Sequence, residues 1–165
     1  MTIRNIVEEG IRAEKFSRDF YRGLMNKSIA KYTGKALARI AEEENKHVLI
    51  LEEYHRSLQK GGVTDIPEAG QHAGVWEGFM KALDEIRESI HPHTDEITVV
   101  HKAIDLEKKG IKLYTEGMES SENKTGKEFF SFMVQQETTH KYYFEKLLKR
   151  LLVLYEEPPE ARPQL

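Results

Sequence analysis

The chain has 165 residues and no cysteine, and its 25 Lys and Arg residues against 28 Asp and Glu residues give a formal charge of −3. This length suits one domain with a hydrophobic core of its own. The lack of cysteine excludes disulfides, thiolate zinc sites, iron–sulfur clusters and cysteine nucleophiles, so any metal must be bound by histidine and carboxylate. The charges of both signs are interspersed without a basic block, which predicts no nucleic-acid partner.

The hydropathy pattern predicts no membrane association. The N-terminus carries charges within its would-be apolar stretch, and uncharged runs such as Leu151 to Tyr155 are far too short to span a bilayer. A cytoplasmic location is the default expectation.

The first half of the chain predicts two long helices. One runs from about Thr2 to Asn26, with a core-facing stripe whose central position is occupied by Glu14. The second runs from about Thr33 to Gln59 and ends at the glycine pair 61–62. Its centre carries Glu44 and His47, which project from one helical face because they are three residues apart.

The middle of the chain differs in composition from the predicted long helices. Proline and glycine residues punctuate the segment from about residue 61 to 93, while Val75 to Ile90 predicts one shorter helix that carries the lone Trp76. We interpret this segment as a long crossover with its own helix.

The second half predicts two more long helices. The third begins near Thr94 or Asp95, either of which can cap it, and reaches about Glu119, with Glu107 in its core stripe. The fourth begins at a predicted capping box, Thr125 to Glu128, and carries Glu137 and His140 with the same three-residue spacing as before. Residues 158–165 are proline-rich and predict a flexible tail after a domain spanning 1–157.

The two halves are an internal repeat. A single offset of 93 residues superposes three pairs without a gap, namely Glu14 on Glu107, Glu44 on Glu137 and His47 on His140. The same offset places Tyr21 on Tyr114. Two such helical hairpins joined by a crossover predict an all-α, pseudo-symmetric four-helix bundle.

The repeated residues indicate a two-metal site. An isolated Glu-x-x-His pair is common on solvated helices, but four carboxylates in core positions are costly unless they are paired or coordinated. Two divalent cations would balance their charge of −4. Oxygen and imidazole ligands suit iron or manganese, and zinc would also bind. The predicted ligands are Glu14, Glu44, His47, Glu107, Glu137 and His140, with one histidine on each ion and Glu44 and Glu137 bridging.

Two tyrosines follow this pattern. Tyr21 and Tyr114 each lie seven residues after a core glutamate, two turns along the same face. They are interpreted either as ordinary core aromatics or as donors of hydrogen bonds to ligand carboxylates. His55 lies near the same helical face as Glu44, two to three turns on, and is interpreted as a core or surface histidine and not as a ligand. The other histidines have no partners at ligand spacing and are not predicted to bind metal; they are His72, His91, His93 and His101.

The combined motifs resemble the diiron domain of the rubrerythrins, within the ferritin-like superfamily, over roughly residues 3–155. The matching residues are Ala13-Glu14-Lys15 with Tyr21, Glu44-x-x-His47, Leu106-Glu107-Lys108 with Tyr114, and Glu137-x-x-His140. The resemblance implies two iron ions that react with hydrogen peroxide or dioxygen, commonly in protection against oxidative stress. It also implies a homodimer that exchanges helices in some members.

The chain departs from this family pattern in two places. Rubrerythrins usually carry a C-terminal rubredoxin domain with a four-cysteine iron site, which this cysteine-free chain is expected to lack. Its electrons are therefore expected from a separate, rubredoxin-like donor protein. The family also typically has a second glutamate three residues after the third-helix ligand, where this chain has Gly110. Six protein ligands are therefore expected.

The leading functional hypothesis is a di-iron redox enzyme that reduces peroxide with electrons from an external donor. An iron-handling protein that oxidises ferrous iron for sequestration is the main alternative. A bundle held together by zinc or manganese without redox chemistry, a binding module, and a hydroxylase of small organic substrates remain open, since four-helix bundles support many functions.

Overall fold

The computed structural model describes residues 2–25, 31–60 and 96–156, and these form four long helices. They are α1 (Ile3–Met25), α2 (Lys31–Gln59), α3 (Glu96–Ser120) and α4 (Lys124–Glu156). The prediction of an all-α four-helix bundle is confirmed. The predicted crossover at 61–93, with its short helix, and the tail at 158–165 lie outside the described residues.

The helix starts are set by local capping. Thr2 caps α1, since its Oγ1 accepts a hydrogen bond of 3.1 Å from the backbone N–H of Asn5. At the start of α4, the Oδ1 of Asn123 accepts a hydrogen bond of 2.8 Å from the N–H of Gly126. The prediction of a capping box from Thr125 to Glu128 was therefore wrong, because the asparagine two residues earlier takes the capping role.

The predicted starts of α2 and α3 can also be compared with the structure. Helix α2 begins at Lys31, two residues before the predicted start at Thr33, whose side chain is buried. The predicted cap of α3, at Thr94 or Asp95, lies outside the described residues, and the described helix begins at Glu96.

The helices pair as two antiparallel hairpins. Helix α1 packs along α2 and α3 packs along α4, while α1 also packs against α3. One apolar cluster joins the end of α1 to the start of α3, through residues such as Tyr21 and Val100. A second cluster joins the start of α1 to the end of α3, through residues such as Ile6 and Leu113. Helices α1 and α3 are therefore antiparallel.

These two clusters fill the two ends of the bundle. The first contains Leu37 of α2 and Leu147 of α4, and the second contains Leu51 and Phe130 of the same helices. The middle of the bundle, between the clusters, holds the six predicted metal ligands. No helix in the described ranges has the length and hydrophobicity required to cross a bilayer.

Candidate metal centre

All six predicted ligands meet in the middle of the bundle. Helices α1 and α3 each contribute one glutamate, and helices α2 and α4 each contribute a glutamate and a histidine one turn apart. None of the six residues is more than 4% exposed, which holds for Glu14, Glu44, His47, Glu107, Glu137 and His140. Six ionisable groups thus share one buried space, whereas such groups are usually exposed.

His47 organises one half of this group. Its Nδ1 lies 3.1 Å from Oε2 of Glu44 and 3.1 Å from Oε1 of Glu137. The same nitrogen lies 3.4 Å from Oε2 of Glu14. Carboxylates from three other positions of the bundle therefore converge on one imidazole nitrogen.

His140 occupies the corresponding place in the other half. Its Nδ1 lies 3.4 Å from Oε1 of Glu44 and 3.6 Å from Oε2 of Glu107. The His140 and His47 rings are stacked, with centroids 5.1 Å apart. Glu44 thus contacts both histidines through different oxygens, as a carboxylate bridging two ions would.

Four of the six residues form a compact inner set, and the other two are glutamates that flank it. Ligand atoms of Glu44, His47, Glu137 and His140 all lie within 4.8 Å of one another and could hold a metal ion. Glu14 lies beside His47, and Glu107 lies beside His140, at opposite sides of this set. Each histidine of the inner set therefore has one flanking carboxylate beside it.

The hydrogen bonding of the site fits a metal. Several buried ligand atoms have no hydrogen-bond partner, namely Oε1 of Glu44, Oε2 of Glu107, Oε1 of Glu137 and Nδ1 of His140. An unsatisfied buried polar atom costs about 1–3 kcal/mol, and more when it is charged. Oxygen and imidazole donors are those preferred by iron, manganese and zinc, so the residues present fit a divalent pair.

The pKa shifts of these groups reflect the cost of burying several carboxyls together when no metal is bound. Burial, followed by repulsion from Glu14, raises the pKa of the Glu44 and Glu137 carboxyls well above the ordinary value. Burial would lower the pKa of His47, but the adjacent carboxylates of Glu137, Glu14 and Glu44 raise it strongly. Burial would raise the pKa of Glu14, but its hydrogen bond with His47 contributes to a net lowering of that pKa.

Metal binding is therefore expected to release protons. The raised pKa values favour the protonated forms of Glu44, Glu137 and His47 in the metal-free protein, and metal ligands must lose such protons. The apparent affinity should accordingly rise with pH. Calorimetric titration with Zn²⁺ in two buffers of different ionisation enthalpy would measure the release, and an observed heat that is the same in both buffers would contradict it.

Two buried tyrosines hold the flanking carboxylates by crossed hydrogen bonds. The hydroxyl of Tyr21, on α1, donates to Oε1 of Glu107, on α3, at 2.5 Å. The hydroxyl of Tyr114, on α3, donates to Oε1 of Glu14, on α1. Burial and the nearby carboxylates raise the pKa of both hydroxyls well above the ordinary value, so they remain protonated donors.

Removing one of these donors should weaken metal binding. Tyr21→Phe leaves an oxygen of Glu107 without its donor, and the loss of such a partner typically lowers metal affinity by about 10–100-fold. Tyr155→Phe is a suitable control, because its hydroxyl donates to Glu96 outside the site. Competition with a chelator of known affinity would compare the two, and equal affinities would contradict the role of Tyr21.

Gly110 lies directly against the site. A Cβ atom at this position would be 2.8 Å from Oε2 of Glu137 and 3.2 Å from its Cγ. The Glu137 side chain thus occupies the space that any other residue at position 110 would need. The sequence identified this glycine as a departure from the family pattern, but the contact could not be read from it.

The remaining histidines lie apart from the group. Nε2 of His55 is 3.1 Å from Oε1 of Glu8, on the α1–α2 surface, and His101 is exposed. His72, His91 and His93 are outside the described residues.

Comparisons with known proteins agree with the helices and the motif. The fold resembles a solved hypothetical protein from Pyrococcus furiosus, with 18% identity, a TM-score of 0.66, and coverage of 92% of this chain and 91% of that one. A search of curated proteins found no match. Residues 5–148 match the Rubrerythrin family, and since this is most of the 165 residues, the chain belongs to the rubrerythrin family.

Proposed function

We propose that this protein is a di-iron redox protein that reduces hydrogen peroxide to water with electrons from a separate donor protein. The observation that carries the proposal is the buried pair of Glu-x-x-His motifs, flanked by Glu14 and Glu107, with ligand atoms that have no hydrogen-bond partner. Membership of the rubrerythrin family supports iron as the metal.

Each residue of the group has a distinct task in this proposal. His47 with Glu14, and His140 with Glu107, would each hold one ion, and Glu44 and Glu137 would contribute carboxylates between them. When bound, the ions supply Lewis acidity and the electrons for reducing the O–O bond. Tyr21 and Tyr114 keep the flanking carboxylates oriented through their hydrogen bonds.

Charge balance explains why this site suits the reaction. Two divalent ions offset the four carboxylates, so ionised glutamates become tolerable in a buried space. Reduction of one hydrogen peroxide molecule takes two electrons and two protons, breaks the O–O bond and yields two water molecules. Dioxygen is a second possible oxidant for the same site. The donor protein, a homodimeric assembly and a cytoplasmic location complete the proposal.

The first experiment is metal analysis and spectroscopy. Anaerobically purified protein should contain about two irons per chain, as a site with two histidines and four carboxylates implies. Its near-ultraviolet absorption should bleach on reduction and return with stoichiometric peroxide. Turnover in a peroxidase assay must exceed that of free ferrous iron. Zinc at full occupancy in the purified protein, with a silent spectrum, would overturn the proposal.

The iron-handling alternative predicts a different result in the same sample. Sequestration requires an enclosed assembly and many irons per chain. Light scattering that shows a small oligomer, together with a constant iron content after repeated addition of ferrous salt, would support the redox proposal. A large cage that accumulates iron would overturn it in favour of storage.

A further inference from the structure

A series of aromatic rings connects the protein surface to one flanking ligand. Tyr143 of α4 is 36% exposed, and its ring centroid is 6.2 Å from that of the fully buried Phe144. The Phe144 centroid is in turn 5.5 Å from that of Tyr21. Tyr21 donates its 2.5 Å hydrogen bond to Glu107. We call Tyr143, Phe144 and Tyr21 the aromatic series.

We propose that the aromatic series is the route by which electrons enter the metal centre, and that the surface around Tyr143 is where the donor protein docks. The proposal rests on the proposed redox function. Each transfer moves one electron from a reduced one-electron carrier protein to the metal pair. Two transfers and two protons balance the reduction of one hydrogen peroxide molecule to two water molecules.

Cationic side chains lie beside the exposed aromatic rings of the surface around Tyr143. The guanidinium carbon of Arg39 lies 5.9 Å from the Tyr143 ring centroid, and Nζ of Lys146 lies 4.8 Å from that of Tyr142, which is 57% exposed. Lys35, one turn before Arg39 on α2, is also exposed. Exposed aromatic rings with a cationic rim favour an acidic partner, because complementary charge accelerates encounter.

The internal repeat shows that the fold does not require aromatic residues here. The 93-residue offset places Tyr143 on Ile50 and Phe144 on Leu51. Leu51 is fully buried, as Phe144 is, so an aliphatic residue fills the equivalent slot in the first half. The two halves share their ligands and tyrosines but differ at the connection to the surface.

A second group of rings at the other end of the bundle provides an internal comparison. Tyr114 lies 6.4 Å from Phe130, and Phe130 lies 6.1 Å from Tyr54, between ring centroids. Tyr54 is only half-buried but stacks on Phe129 at 3.8 Å. Its ring is thus engaged in packing, whereas the large exposed side chains include Tyr143. We assign electron entry to the Tyr143 end.

The test delivers an electron to the surface by light and times its arrival at the metals. Because the chain has no cysteine, Lys146→Cys gives a single site for a ruthenium polypyridyl photosensitiser beside the docking surface. Photoreduction of the diferric protein is followed by loss of the ferric absorption. This rate measures electron arrival and not peroxide turnover.

Two matched substitutions in this labelled protein separate the route from general packing. Phe144→Leu and Phe130→Leu each remove a fully buried ring beside a site tyrosine. Both introduce the residue that the repeat carries at the equivalent position, Leu51 or Leu37. We expect Phe144→Leu to slow electron arrival roughly tenfold, because the lost ring leaves a gap between Tyr143 and Tyr21. Phe130→Leu should leave the rate unchanged.

Equal rates in the two variants would overturn the route. If Phe144→Leu fails to fold, Tyr143→Ile, an exposed substitution, tests the same route and should slow electron arrival likewise.

A second test asks whether the docking surface is accessible to solvent in the native protein or is covered by a second copy of the chain. The thiol introduced by Lys146→Cys must react with the label as readily as the thiol introduced by Glu53→Cys, at the equivalent position of the repeat. A thiol at position 146 that is protected by a second copy of the chain would overturn the docking surface.

Failure of the route and failure of the proposed function give different results. If the protein is not a peroxidase, turnover is absent while photoreduction still depends on Phe144. If the route is wrong, peroxide turnover is present but the photoreduction rate is the same with and without the Phe144 ring. The two measurements are made on the same iron-loaded protein.

Discussion

Glu44→Gln is expected to abolish two-metal binding while leaving the metal-free fold intact. Glu44 is fully buried and contacts both histidines, so the amide removes one negative charge and an oxygen donor from between the two ions. The loss in metal affinity should exceed about 100-fold, beyond the range for partners outside the ligand set. Peroxide reduction should fall to the level of free iron.

The metal-free protein should respond differently to the same change. Burial and repulsion from Glu14 raise the pKa of Glu44, which favours its neutral carboxyl form, and the glutamine amide has a similar shape. We expect the free energy of unfolding without metal to stay within about 1 kcal/mol of the parent value. Saturating metal at about 1,000 times its Kd should add about 4 kcal/mol to the parent protein, and far less to the variant.

The neighbouring residue provides the control for this prediction. Glu43 lies one position away on the same helix, and its carboxylate is paired with Lys46 on the surface. Glu43→Gln should leave metal content and thermal stabilisation by metal unchanged. Retention of two metals by Glu44→Gln, or an equal loss in both variants, would contradict the assignment of Glu44 as a residue between the ions.

Gly110→Ala is expected to weaken metal binding without weakening the helix. The added Cβ would lie 2.8 Å from Oε2 of Glu137, closer than atoms pack, so the carboxylate must move. Displacing a ligand in this way should lower metal affinity by about 10–100-fold, as does the loss of an orienting partner. The metal-free protein should be unchanged or more stable by up to about 1 kcal/mol, because alanine favours the helix over glycine.

Gly23→Ala is the matched control for Gly110→Ala. Gly23 is also within a helix, but a Cβ there would meet nothing within 4 Å. It should gain about 0.5–1 kcal/mol of stability with unchanged metal affinity. Thermal unfolding and chelator competition on both variants would separate the helix effect from the site effect, and equal affinities in the two would show that Glu137 accommodates the methyl group.

The sequence predicted most of this bundle because the pattern is repeated. One offset aligns Glu14, Glu44 and His47 with their counterparts, and each lies at the centre of an apolar stripe, so helix faces and site membership follow from periodicity. Helix starts were less certain. Asn123 and Thr125 are both good caps, and only the hydrogen bond from Gly126 distinguishes them.

The features that the sequence did not predict depend on packing between helices. Each tyrosine was interpreted either as a core aromatic or as a donor to a ligand carboxylate, and which carboxylate it reaches depends on the direction of α3 relative to α1. Since these helices are antiparallel, Tyr21 reaches Glu107, on the opposite helix, and not Glu14 on its own. The contact between Gly110 and Glu137 likewise depends on how closely α3 approaches α4.

The crossed tyrosine bonds make the two hairpins mutually dependent. Each hairpin carries a flanking carboxylate that accepts a hydrogen bond from the other hairpin's tyrosine, and the histidines of α2 and α4 both contact the carboxylate of Glu44. A one-turn slip of α1 along α3 would break both bonds together. Correct docking of the two hairpins and completion of the metal site should therefore occur together. Metal release is therefore an early reporter of any separation of the hairpins, ahead of the loss of helical structure.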